Sequence, residues 1–263
     1  MMKFWRRAAP ASAPGPAVVR DWHDIVISRQ VPVDGQAEAA RATNPLAAIF
    51  YEHSDRLAHK WQHYLEIYDQ HLARYRGTPV RFLELGVFQG GSLQVWRRYF
   101  GDRARIHGLD INPACASIDD LDLRVHVGDQ TDKALLDRVV SEMGGLDVVI
   151  DDASHSSPHQ IATFEHLYPR LAENGIYIVE DVHASYWPDL GGGLRRPGTF
   201  MEYAKGLLDR LHADYIVEDD PLAQDTAFAA MTQGISFHDG IVVFEKRRKT
   251  RATHCTVGRR TIF

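Results

Sequence analysis

Short apolar runs recur through the middle of the chain: Phe82, Leu83 and Leu85; Ile106 and Leu109; Leu123, Val125 and Val127; Leu146, Val148, Val149 and Ile150; then Ile176, Tyr177, Ile178 and Val179. Each run is short and bounded by glycine, asparagine or acid, as buried parallel strands are. The pattern predicts strands over 81–86, 105–110 and 123–129, a fourth ending at Asp151 and a fifth from Ile176. Helical periodicity fills the intervals at 92–100, 131–143 and 158–172, with Asn174-Gly175 capping the last. Such alternation specifies an α/β doubly wound sheet. Beyond residue 181 the pattern changes. A loop over 182–197 carries Trp187-Pro188 and Gly191-Gly192-Gly193, and a helix follows at 199–211. Ile235-Ser236-Phe237, the turn His238-Asp239-Gly240 and the run from Ile241 to Phe244 then read as an antiparallel hairpin. The expected sheet is mostly parallel, seven-stranded and closed by that hairpin.

The flanks divide the chain further. Residues 1–20, rich in alanine, proline and glycine, read as a flexible N-terminal tail, and 21–78 as a helical segment packed beside the main domain, with core packing favoured over a lid. Val31-Pro32-Val33-Asp34-Gly35 suggests a turn, and 44–76 one or two helices with Trp61 and Tyr64 on a broad apolar stripe. The main domain spans 79–247, and 248–263 form a basic C-terminal tail. The N-terminal Met1-Met2-Lys3-Phe4-Trp5-Arg6-Arg7 lacks the apolar segment of a signal peptide, and no run is long enough to span a membrane. With 263 residues, 44% hydrophobic and 25% charged, the composition is that of a globular domain. A net charge of -5 gives no reason to expect nucleic acid. Cys115 and Cys255 have no metal-site spacing, which argues against a disulfide framework and fits a cytoplasmic protein.

Chemistry concentrates where the strands end. Carboxyl ends of parallel strands form the ligand crevice of open α/β sheets. The first strand runs into Glu84-Leu85-Gly86-Val87-Phe88-Gln89-Gly90-Gly91-Ser92, a glycine turn that lacks the GxGxxG dinucleotide fingerprint. Asp110 ends the second strand, where a carboxylate can take both hydroxyls of a ribose, and Asp129 ends the third. The fourth and fifth end in Asp151-Asp152-Ala153-Ser154-His155 and Glu180-Asp181. Carboxylates gathered in one crevice repel one another, and a hard divalent cation between them relieves the repulsion.

These residues carry a resemblance. ELGVFQGGS, GLDI, GDQTD, DVVIDDASH and YIVEDVHASYWP resemble the class I S-adenosylmethionine-dependent methyltransferases, and more narrowly the metal-dependent macrolide sugar O-methyltransferases of mycinamicin and tylosin type. The resemblance covers about 61–244 and implies the Rossmann-like class I methyltransferase fold. It implies that Glu84 and Gly86, with Gly90 and Ser92 in the same turn, border the methionine part of S-adenosylmethionine. Asp110 would take the ribose, Asp129 and Gln130 the adenine side, and Asp151 would face the cofactor or support its turn. Asp152, Glu180 and Asp181 would hold Mg2+, with Mn2+ as the alternative, and His155 would be the general base. Compared with the macrolide enzymes the sequence lacks their long N-terminal extension, so a sugar hydroxyl is better supported than a macrolide acceptor.

The expected partners are a small-molecule or glycan acceptor, no nucleic acid, and, by analogy with related enzymes, further copies of the chain in a homo-oligomer. His159 and His183 are substitute bases, Tyr186 and Trp187 could stack on a sugar, and the glycines at 191–193 would allow a mobile flap. A metal-independent methyltransferase and a non-catalytic cofactor-binding module are the competing readings.

Overall fold

The computed structural model describes residues 31, 33–118, 122–249 and 253–262. The tail expected over 1–20 lies outside the described residues, as does 21–30 of the lid segment. Everything below belongs to the unit formed by residues 34–263.

Seven strands form one sheet: β1 (Arg81–Leu85), β2 (Arg105–Asp110), β3 (Leu123–Val127), β4 (Val148–Asp151), β5 (Ile176–Val179), β6 (Thr232–Phe237) and β7 (Val242–Lys246). Their order is β3-β2-β1-β4-β5-β7-β6, with β1 to β5 parallel and β7 antiparallel to both neighbours. The chain reverses its winding direction between β1 and β4, which opens a crevice beyond their carboxyl ends. The helices are α1 (Gly35–Arg41), α2 (Pro45–Tyr51), α3 (Tyr64–Leu72), α4 (Gly91–Phe100), α5 (Lys133–Met143), α6 (Ser157–Leu167), α7 (Phe200–Leu211) and α8 (Ala227–Met231). Among the described residues no helix is long and apolar enough to cross a membrane.

Local signals set the boundaries. Asp132 and Thr199 cap α5 and α7 by accepting from the Leu135 and Glu202 amides, and Gly144 ends α5 in the left-handed region. Pro169 turns the chain after α6 into a 3-10 segment, so the helix expected over 158–172 stops at Leu167. The turn expected at 31–35 includes residue 32, outside the described residues; within it Asp34 is the N-cap of α1, its side chain accepting from the Ala37 amide. The loop at 182–197 contains two 3-10 turns, Val182–Tyr186 and Pro188–Leu190.

The pleat of the sheet assigns each strand residue to one of two cores. Phe82, Val148, Ile150, Ile176, Ile178 and Val243 face Tyr68, Trp96 and Phe100 of α3 and α4. Leu83, Leu85, Val149, Tyr177, Val179 and Phe244 face Leu136, Phe164 and Phe200 of α5, α6 and α7. This alternation also decides where each strand-end acid points.

Candidate active site

Gly86 begins the turn after β1 with φ +89°, and a Cβ built there would lie 2.2 Å from the Asp152 carbonyl oxygen. Only glycine lets the β1 and β4 ends approach this closely. A pocket opens beside it, lined by Gly86, Leu109, Asp110, Ile111, Asp129 and Gln130, with Ala153, Ser154 and His159 on the β4 side. An apolar floor rimmed by carboxylates suits a flat ring that carries hydroxyls. Asp110 organises the rim: its Oδ2 accepts from the Val87 and Phe88 amides at 2.8 and 3.0 Å, and its Oδ1 from the Asn112 amide at 2.8 Å. Asp129 Oδ1 accepts from the Thr131 amide and hydroxyl, which hold its carboxyl below the usual range.

On the α6 side, two residues expected at the cofactor are buried. Asp151, at the end of β4, is fully buried on the α6 side, where Gln130 Nε2 and the Tyr177 hydroxyl donate to its two oxygens at 3.1 Å each. Burial pushes its pKa up to about 6. It supports the turn and does not line the pocket. Gln130 does line the pocket, but its amide is committed to Asp151, Thr163 and the Ser154 amide.

The opposite face of the pleat collects the other acids. Glu84 accepts from Ser92 Oγ at 2.6 Å and Trp96 Nε1 at 3.2 Å, deep under the glycine turn. Glu180, one residue beyond β5, points to the same side. Between them lies Lys60, from the strap between α2 and α3. Its Nζ is 2.5 Å from Asp152 Oδ2, 2.9 and 3.0 Å from the two Glu180 oxygens and 3.5 Å from Glu84 Oε1. The Lys60 side chain is 5% exposed and that of Glu180 2%. Burial works against the charged form of Lys60, but Asp152, Glu180 and Glu84 outweigh it and hold its pKa well above the ordinary lysine value. Burial, then the neighbouring Asp152, pushes Glu180 well above the carboxylate range. One buried ammonium does not balance this many carboxylates.

Outside Lys60 the crevice gathers a second trio. Asp152, His155 and Asp181 each offer a ligand atom, and these lie within 4.8 Å of one another. His155 Nε2 is 3.6 Å from Asp181 Oδ2 and 4.0 Å from Asp152 Oδ1. Ligands around an ion with bonds of about 2.1 Å stand roughly 3 Å apart when adjacent and roughly 4 Å when opposite, so small shifts would let the Asp152 and Asp181 carboxylates share a cation with His155 Nε2 free beside it. His155 and Asp181 both hold positive φ, at 52° and 50°. Non-glycine residues in that region persist only where surrounding structure imposes it, often at functional sites. Tyr64 imposes part of it, its hydroxyl donating to Asp181 Oδ1 at 2.7 Å. His155 Nδ1 is buried without a hydrogen-bond partner. Thus the expected metal ligands Asp152 and Asp181 converge with the expected base His155, while both oxygens of Glu180 are held by Lys60. His183 lies under Trp61, ring centroids 5.7 Å apart, and burial lowers its pKa.

Sequence reasoning missed Lys60. It lies between the two helices of the 44–76 segment, outside every strand-end motif, and meets acids 92 and 120 residues away, so no local pattern marks it. The inward turn of Asp151 was available from the period of two along β4.

Residues 83–182 match a family model described as a methyltransferase domain. The chain is 37% identical over 205 residues to the 8-demethyl-8-(2-methoxy-alpha-L-rhamnosyl)-tetracenomycin-C 3'-O-methyltransferase of Streptomyces olivaceus, covering 73% of this chain and 51% of that protein. It is also 37% identical over 162 residues to the mycinamicin VI 2''-O-methyltransferase of Micromonospora griseorubida, covering 58% and 40%. The chain spans about half the length of these curated relatives or less. Among solved structures it is similar to the methyltransferase MycE in complex with Mg and SAH, at 30% identity and TM-score 0.66, over 83% of this chain and 55% of that one. Residues 83–182 therefore match a methyltransferase domain, and the chain resembles the tetracenomycin and mycinamicin O-methyltransferases in sequence and MycE in fold.

Proposed function

We propose that this chain is an S-adenosylmethionine-dependent, Mg2+-dependent O-methyltransferase that modifies a sugar hydroxyl on a small-molecule glycoside or glycan precursor. The observation that carries the reading is the convergence of Asp152, His155 and Asp181 within 4.8 Å, next to a pocket formed by the glycine turn and the ends of β2 and β3. The relatives' names support the acceptor class, one naming a rhamnosyl tetracenomycin and another mycinamicin VI. Bound in these sites, S-adenosylmethionine would supply an activated methyl group and the cation would lower the energy of a developing alkoxide.

The chain's own residues would do the rest. Leu109, Ile111 and Ala153 would hold the adenosine between Asp110 and Asp129, while Glu84, under Gly90 and Ser92, would favour the cofactor's ammonium. Asp152 and Asp181, with Glu180 as the third expected ligand, would hold the metal. His155 Nε2 faces the same space and would take the acceptor proton, an effect of roughly 10²–10⁴ in rate. Trp61 and Trp187 each pack against His183 beside it and would shield the acceptor from water.

A second reading has one observation in its favour. Lys60 already neutralises part of the crevice, as a metal-independent enzyme would require. Methyl transfer to a panel of rhamnosyl and deoxyhexosyl polyketides, with Mg2+ and with chelator, separates the two. Transfer only with metal supports the proposal; undiminished transfer in chelator favours His155 alone; no transfer to any sugar rejects the acceptor class.

A further inference from the structure

We propose that Lys60 is a tethered cation that competes with the divalent metal for the Glu180 side of the crevice, and that its ammonium withdraws when the metal binds. The inference rests on the metal-dependent reading above.

Each short contact of Lys60 Nζ uses an atom that reading needs. Both Glu180 oxygens and Asp152 Oδ2 are within 3.0 Å of the ammonium, leaving Asp152 Oδ1 as the oxygen directed at His155. A divalent ion bound by Asp152, Glu180 and Asp181 would sit against that ammonium, and two cations sharing the same carboxylates repel. The ammonium fits its present position as a stand-in ion does, with three acids around it and the Tyr68 ring 6.0 Å away.

The surrounding structure allows the exchange. Lys60 belongs to the non-helical strap between α2 and α3. The strap is fixed before it, where Arg56 accepts from or donates to His53, Gln94 and Ile118, and after it, where His63 meets the Asp239 carbonyl and Tyr64 meets Asp181. A lysine stem has four rotatable carbons, so the ammonium can leave while these anchors hold. In the metal-free protein Lys60 would thus keep the acids from repelling one another.

The test uses two measurements on the full chain. Calorimetric titration of Mg2+ and Mn2+ compares wild type with Lys60→Met, and Lys205→Met, an exposed lysine paired with Glu202, serves as control. Competition predicts divalent affinity about tenfold tighter in Lys60→Met, within the usual range of coupling between two sites, and unchanged in Lys205→Met. Acetylation footprinting of wild type, read by mass spectrometry at constant ionic strength, covers the case in which Lys60→Met does not fold. Labelling of Lys60 should rise several-fold with Mg2+ while that of Lys205 stays constant. Equal or weaker binding by Lys60→Met, or unchanged Lys60 labelling on metal saturation, would overturn the inference and leave Lys60 as a permanent member of the loaded site. Binding by Lys60→Met alone would support the inference and reject metal dependence of the native chain. No binding by either folded protein would overturn both.

Discussion

Gly86→Ala is the substitution whose consequences can be worked out most fully. The new Cβ would meet the Asp152 carbonyl oxygen at 2.2 Å, its carbonyl carbon at 2.7 Å and Ala153 Cα at 2.9 Å. All three are backbone atoms, so no flexible side chain can yield. Ordinary contact begins at 3.4 Å, and the Asp152 carbonyl must therefore retreat by about 1.2 Å. The φ of +89° adds about 1 kcal/mol for any residue with a Cβ, and overpacking against backbone adds about 1–3 kcal/mol. Urea denaturation should show a loss of about 2–4 kcal/mol. Gly77→Ala isolates the conformational part, because Gly77 has φ +69° with nothing within 4 Å of its Cβ; it should cost about 1 kcal/mol. The retreat also drags the turn that carries Asp152 and His155. Displacements near 1 Å commonly cost about 100-fold in rate, so Gly86→Ala should lose methyl transfer even where it remains folded. Equal losses of stability in Gly86→Ala and Gly77→Ala would refute the close approach of β1 and β4, and with it the geometry of the site.

Three further outcomes follow. Removing the imidazole in His155→Ala should lower kcat by about 10²–10⁴ and leave S-adenosylhomocysteine binding unchanged, whereas His183→Ala should keep kcat within a fewfold. Asp151 titrates at about 6 in the folded chain against an ordinary 3.8; because the folded value is raised, its stabilising contribution is complete below about pH 4 and is lost as pH rises through 6, a change of about 3 kcal/mol. Asp151→Asn, which keeps an acceptor for Gln130 or Tyr177, should remove that slope from urea denaturation measured between pH 4 and 7. Tyr64→Phe deletes the 2.7 Å hydrogen bond to Asp181, and should lower stability by about 1–2 kcal/mol and weaken divalent binding by titration calorimetry.

The sequence was most legible where the physics is local. β1, β2, β4 and β5 each follow an apolar run stopped by an acid or glycine, and the hairpin of β6 and β7 announces itself through His238-Asp239-Gly240. α1 was missed because Gly35–Arg41 buries none of its residues and so shows no apolar stripe. α8 is only five residues long, too short for a period to register. At the site, the convergence of the Asp152 and Asp181 turns was readable from two neighbouring strand ends. Two features were not. The division of labour between Asp151 and Asp152 depends on which face of β4 each occupies, and the insertion of Lys60 depends on a strap folding back across acids that lie far away in sequence. Such contacts are fixed by tertiary packing, and a local motif carries no record of them.

The most direct test of the central claim is calorimetric titration of S-adenosylmethionine and S-adenosylhomocysteine into the purified chain, with Mg2+ and then with chelator. The account predicts micromolar binding of both that survives chelation, since the pocket at Gly86, Asp110 and Asp129 contains none of the expected metal ligands. Absence of binding under both conditions would contradict it.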